Sequence, residues 1–421
     1  MNIASESIYV NSEIGHLRKV IIHRPEEGIS RISPKRSDEL LFDDIVYLPQ
    51  IQAEHDIFSN VLRKFIGREN VLYLHDLLVE ALDADQQAQE EIIARIIDFE
   101  ELPSKYIKTL SELENRKLAD VLISGYLPEE DLILFDPIPN FIFTRDIAVT
   151  IQDQVIITRA AKEARFRENF LTRFIFFAHP MFKELRVHGK TINMNDVELF
   201  PRSRRGESVS IEGGDMMLFS ENHFLIGCSE RTTEHAIHCL KEVLFTRELV
   251  DNVVQVNIPN DRSYMHIDTV FTRINHNHLV CYKPLVYEGL SSYVTVYRSN
   301  GSKAKYHSLK NFIHSEIDAE MEFIFSGNGI SPYQEREQWT DGCNLVSIKP
   351  GVAITYDRNV RTMQALQAHG YQAMPADYFL SDAVNPETVE NTIIQIPSSE
   401  LSRARGGSHC MTLPIKRDYI K

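Results

Sequence analysis

Short apolar runs rich in β-branched residues recur along the chain, at 19–23 (KVIIH), 71–74 (VLYL), 155–158 (VIIT), 223–227 (HFLIG), 278–282 (HLVCY), 351–356 (GVAITY) and 392–396 (TIIQI). Each has strand length, and most lie near Gly, Pro, Asn or Asp, which interrupt pairing and turn the chain. Between several of them the apolar period lengthens from two to between three and four. In 51–66, Ile51, Phe58, Leu62 and Phe65 fall on one helical face. The stretches 230–245 and 359–370 repeat that pattern, and Gly370 stands where a helix C-cap belongs. Strands alternating with helices predict an α/β fold. Residues 77–125 break the rhythm: they show no strand pattern, only helix-like sequence on either side of Pro103, and predict a small helical module inserted into the chain. No repeat, low-complexity tract or Gly/Ser linker divides the rest, so residues 1–421 are expected to form one compact unit.

Charge narrows the partners. Lys and Arg number 45 against 60 Asp and Glu, a formal net charge of −15. Nucleic acid and anionic membrane both reward clustered basic residues, so neither is the expected partner. A small cation is compatible with this sign. The five cysteines, Cys228, Cys239, Cys281, Cys343 and Cys410, are odd in number and contain no C-x-x-C pair. That pattern argues against a zinc site or disulfide framework and fits free thiols in a reducing compartment. The N-terminal MNIASESIYVNSEIG has neither the basic nor the apolar region of a secretory leader, and no apolar run approaches the roughly 18 residues of a membrane span. A soluble, cytoplasmic protein is expected.

Four segments could carry chemistry. RARGGSHCMTLP (403–414) sets Cys410 behind two glycines and a histidine. A free thiol titrates near 8.5, so only about 3% is thiolate at neutral pH without help. MHIDTVFT (265–272) alternates His266 and Asp268 with apolar neighbours, which in a strand would project both to one face. IEGGDMMLF (211–219) flanks two glycines with Glu212 and Asp215; glycine inside a strand marks close approach by a ligand or backbone, or else a simple hairpin turn. IPNFIFTRDIAVTI (138–151) places Asn140, Arg145 and Asp146 at the entrance of an apolar strand, where a plain loop would do as well. Several acids near one thiol raise its pKa and suppress attack, unless the substrate is itself a cation. A planar guanidinium suits such a site, because carboxylates accept its forked N–H groups.

With those residues in view, the chain resembles the arginine deiminase family of the guanidino-group-modifying enzymes. The matching segments run nearly end to end: 10–25, 38–48, 139–146, 211–215, 226–233, 266–272, 336–344, 356–362 and 405–415. The resemblance implies a five-bladed, pseudo-symmetric α/β-propeller of ββαβ units, one catalytic domain over 1–421 with the helical module at 77–125. It implies conversion of L-arginine and water to L-citrulline and ammonia through a covalent cysteine thiouronium, with no metal or organic cofactor. Cys410 then resembles the nucleophile, His266 the acid and base, Asp146 and Asp268 the guanidinium clamps, and Glu212 their acidic partner. Arg165, Arg231 and Asn140 match positions that hold the amino-acid end of the substrate, Phe143 packs on its aliphatic arm, and Arg405 resembles a loop arginine near the thiol. A surface salt bridge is the competing account of Arg165 and Arg231. Ala404 stands where the family usually has glycine, Phe166 where a second arginine is common, and 378–402 is longer than usual. The alternative readings are a related guanidino-group enzyme, an amidinotransferase or an arginine dihydrolase, or a non-catalytic relative that binds arginine. A homo-oligomer, dimer or tetramer, is also implied.

Overall fold

The computed structural model describes residues 8–420; residues 1–7 of the N-terminal stretch MNIASESIYVNSEIG, read above for a leader, lie outside them. All seven apolar runs lie in strands, among them Leu17–Ile22, Val71–Tyr73, His223–Cys228 and Thr392–Ile396. The three amphipathic stretches are helices: Leu48–Ile66, Glu234–Thr246 and Val360–Ala368. Leu48–Ile66 buries Ile51, Phe58, Leu62 and Phe65, the face its spacing picks out. Glu234–Thr246 starts later than its pattern because the Thr233 side chain accepts from the Ala236 N–H and caps it there. Gly370, at φ 90°, ends Val360–Ala368 in a left-handed turn that a Cβ would strain.

The α/β class holds, but the five-bladed pseudo-symmetric propeller does not. The described strands form six sheets with three, five, three, four, two and three strands, in which no strand pairing closes a ring of equal units. Sheet size is set by pairing that the local pattern does not carry. The hairpin Tyr293–Arg298 and Lys303–Tyr306 extends one sheet to five strands. Leu17–Ile22 pairs in parallel with Val71–Tyr73 and antiparallel with Leu413–Arg417, so the two ends of the chain share one small sheet.

Between them, four helices, Leu74–Ala84, Gln86–Phe99, Lys105–Ser111 and Asn115–Ser124, occupy the stretch without strand pattern, and Pro103 lies in the turn between the second and third. Leu78, Ile93, Ile96 and Leu122 bury against Ile175 and Phe182 in one apolar cluster. Among the described residues no helix is long and apolar enough to cross a membrane.

Candidate active site

Each chemically distinctive segment ends in a short helical turn just ahead of a strand. Thr144–Ile147 carries Asp146 into Ala148–Ile151. Gly213–Asp215 follows Glu212 and leads into Met216–Ser220. Ile267–Thr269 carries Asp268, with His266 at its start, ahead of Phe271–Arg273. Cys410 precedes Leu413–Arg417. His266 and Asp268 are therefore not on one strand face: Asp215 Oδ1 accepts the Ile267 N–H at 3.0 Å and Thr269 Oγ1 donates to the His266 carbonyl at 2.7 Å, which closes a turn instead. The glycines at 213–214 do mark a close approach, since a Cβ on Gly214 would lie 2.6 Å from His266 Nδ1.

The four turns meet at one closed cavity. Asn140, Phe143, Asp146, Arg165, Arg231, His266, Arg405 and Cys410 line it, and Glu212 and Asp268 stand directly behind. Its free space is about 20 Å³, roughly one water molecule's worth. Larger hollows exist, one of about 590 Å³ between Arg24, Tyr73, His75 and Tyr126, away from the thiol. A second one, about 540 Å³ and lined by Asp43, Trp339 and Arg403, is separated from the site by Arg405, whose guanidinium stacks on Trp339.

Cys410 Sγ donates to Asp268 Oδ2 at 3.3 Å. Burial, then Asp268, Asp146 and Asp341, pushes the thiol pKa well above its ordinary value, so these surroundings favour the protonated sulfur. Across the cavity, His266 Nε2 lies 3.0 Å from Glu212 Oε2 and Nδ1 lies 3.6 Å from Asp146 Oδ1. Burial alone would lower the His266 pKa, but Asp146, the Glu212 hydrogen bond and Asp215 overcome it and raise it to about 10. Burial likewise acts to raise Glu212, yet Arg165, His266 and Arg231 hold it well below the usual carboxylate range.

Arg165 is no surface residue. Its Nη1 lies 2.8 Å from Asp146 Oδ2 and 3.0 Å from Glu212 Oε2, and Nη2 lies 2.8 Å from Glu168 Oε2. Arg231 is also buried, but it is far less well paired: its nearest carboxylate oxygens are 3.7 and 3.8 Å away and its Nε has no hydrogen-bond partner. Asn140 donates to the Leu40 carbonyl at 2.7 Å and Phe143 packs against Gly406, where a Cβ would meet its ring. Asp146, Glu212 and His266 offer one ligand atom each within 4.8 Å of one another. The Arg165 guanidinium already fills that concentration of negative charge, so the donor set does not fit a resident metal.

Three residues that sequence reasoning passed over complete the arrangement. His409 places Nδ1 2.9 Å from Asp268 Oδ2 and Nε2 3.1 Å from Glu13 Oε2, so its ring ties the acid beside the thiol to a buried carboxylate near the N-terminus. The histidine beside Cys410 was visible; its remote partner was not. Asn344, within the matched segment 336–344, touches Cys410 itself. Burial acts to raise the Glu13 pKa, but Arg145 and His409 bring it down to about 2. With an unfolded value of about 4.3, Glu13 stabilises the fold above that pH and loses the contribution as pH falls toward 2. The melting-temperature advantage of the native protein over Glu13→Gln is therefore expected to be full at pH near 6 and to shrink below about pH 4.

The site defines an enzyme class first: a protein with a buried thiol, an imidazole and several carboxylates converging on one cleft. The arginine deiminase family model matches residues 38–131 and 125–417, and a protein called arginine deiminase from Oenococcus oeni is 34% identical over 440 residues, covering 98% of both chains. The chain belongs to the arginine deiminase family. Among solved structures, unliganded AgrE superposes with a TM-score of 0.52 at 14% identity, over 96% of this chain and 40% of that one. The N-terminal domain of ArgZ, an arginine dihydrolase from cyanobacteria, gives 0.52 at 12% identity over 95% of this chain and 97% of that domain. These likenesses concern the fold alone.

Proposed function

We propose that this enzyme hydrolyses L-arginine to L-citrulline and ammonia, with Cys410 as nucleophile. The observation that carries the reading is the Cys410 thiol, 3.3 Å from Asp268 in a cavity that also holds His266 and Asp146. The acidic neighbours of the thiol oppose a further negative charge on sulfur. An incoming guanidinium removes that opposition, so the thiol proton leaves to solvent, and the guanidinium holds its own carbon against the resulting thiolate. Asp268 clamps one side. Asp146 clamps the other once the Arg165 guanidinium gives way to that of the substrate. The sulfur then bonds to the guanidino carbon, His266 passes its proton to the departing nitrogen, and ammonia leaves. Water adds to the remaining thiouronium with His266 accepting one proton, the carbon–sulfur bond breaks, the second water proton passes to solvent, citrulline leaves and the thiolate is regenerated. Entry runs past Arg405 from the hollow beside Trp339, and the helices between Leu74 and Ser124 belong to the same single catalytic unit.

Arg231, the less fully paired of the two buried arginines, receives the substrate's α-carboxylate in this reading. Agmatine, which lacks that group, is accordingly a poor substrate. Arg231→Ala is expected to raise KM for arginine by about 10- to 100-fold, the loss of a charged hydrogen-bonded contact, and to leave agmatine turnover nearly unchanged. Citrulline and ammonia assays on both substrates test this. Equal losses on the two would remove Arg231 from carboxylate binding.

A further inference from the structure

Asn344 lies between the helix Tyr333–Trp339 and the strand Val346–Lys349, with its side chain buried against the nucleophile loop. Its Oδ1 accepts the Cys410 backbone N–H at 3.1 Å. Its Nδ2 donates to the Asp268 carbonyl at 3.0 Å and to Cys410 Sγ at 3.1 Å. Two of these partners fix which end of the amide is which, since a backbone N–H can only donate and a carbonyl can only accept. The nitrogen therefore faces the sulfur.

From this geometry we propose that Asn344 is a catalytic residue whose amide N–H holds the Cys410 thiolate. It deepens the reading of Cys410 as nucleophile and rests on it. Before reaction the sulfur accepts from Nδ2 and gives its own hydrogen to Asp268. Once that proton is gone Asp268 can only repel the anion, and so can Asp146 and Asp341. Among the described residues, Nδ2 is then the one donor from the protein within hydrogen-bond distance of Sγ. A bond to an ionised acceptor is about twice as strong as its neutral counterpart, so the contact tightens as charge develops on sulfur.

The loop is shaped around this contact. A Cβ on Gly407 would lie 2.6 Å from both Asn344 Oδ1 and its carbonyl oxygen, so only glycine lets the two segments meet. Ser408 Oγ donates to the Ile354 carbonyl at 2.6 Å, lies 3.3 Å from the Asn344 carbonyl and accepts the Val346 N–H at 3.0 Å. Gly407, Ser408 and Cys410 thus close on 344–346 as a clamp. The second glycine of GGSHC serves Asn344, as the first serves Phe143.

The experiment follows the alkylation of Cys410 by iodoacetamide as a function of pH, read by mass spectrometry on the peptide that contains it. It needs no turnover, so it is independent of the assignment of the reaction, which citrulline formation and its loss in Cys410→Ala examine separately. Asn344→Asp keeps an oxygen for the Cys410 N–H but turns an acceptor toward sulfur; Asn344→Ala removes both contacts. The charged and titratable groups facing the sulfur, Asp268, Asp146, His266, Asp341 and Arg405, with His409 behind Asp268, are unchanged in each. Both variants are expected to move the thiol titration to higher pH by about one unit or more, with kcat for arginine down about 10- to 100-fold and KM within a few-fold. Rescue by neither oxygen nor cavity is expected, so Asn344→Asp is no better than Asn344→Ala. In the unmodified protein, selectively labelled with nitrogen-15 asparagine, the Asn344 side-chain amide resonance is expected to titrate with the thiol; this holds the proposal open to test even where a variant does not fold. A thiol titration unmoved in the folded variants, or an Asn344 amide signal indifferent to ionisation of Cys410, would overturn it.

Discussion

Cys410→Ala is expected to retain arginine binding and to lose citrulline formation by more than about 10,000-fold, the scale on which enzymes fall when a covalent nucleophile is removed. Binding is expected to persist because the proposed binding groups Asp146, Asp268, Glu212 and Arg231 are untouched by the substitution. Titration calorimetry on the variant measures the first half, and coupled citrulline and ammonia assays the second. The side chain is buried in the closed cavity, so replacing sulfur by hydrogen leaves a small void and little else to disturb the fold. Turnover within tenfold of the native rate would show that water attacks the guanidinium directly.

His266→Ala is expected to lower kcat by about 100- to 10,000-fold, because in the proposed reaction one imidazole serves both as acid for ammonia and as base for water. The sign of its pH dependence follows from its neighbours. Burial would favour the neutral ring, but Asp146, Glu212 and Asp215 raise its pKa to about 10, so the resting enzyme carries an imidazolium. The native kcat/KM is expected to fall as pH rises through about 10, where that proton is lost, and His266→Ala lacks this limb. The same shift links to stability. The unfolded ring titrates near 6.5, so the ion pair's contribution is complete below that pH and is lost as pH rises through about 10. A variant with native kcat, or with the same alkaline limb, would assign the proton transfers elsewhere.

Much of the site could be read from residue type and local context. Asp146 stands ahead of an apolar strand, and Cys410 follows glycines that its surroundings require. What could not be read locally is what depends on distant partners. His266 and Asp268 alternate as a strand does, yet Asp215, more than fifty positions earlier, takes the Ile267 N–H and bends the segment into a turn. Arg165 offers a cation with no sign of its depth, which comes from three carboxylates at positions 146, 168 and 212. His409 and Asn344 matter through Glu13 and through the backbone of 268, contacts that span up to 396 positions. The seven strand runs were legible for the same local reasons, whereas their grouping into six unequal sheets was not. Pairing of Leu17–Ile22 with Leu413–Arg417 joins opposite ends of the chain, and no periodic pattern encodes that.

The most direct measurement is a rapid acid quench of single turnover with arginine labelled at the guanidino carbon, followed by digestion and mass spectrometry. Label is expected on the Cys410 peptide, as arginine less one ammonia, rising and decaying ahead of citrulline. Citrulline formed at full rate with no label on that cysteine at any time would contradict a covalent role for the sulfur.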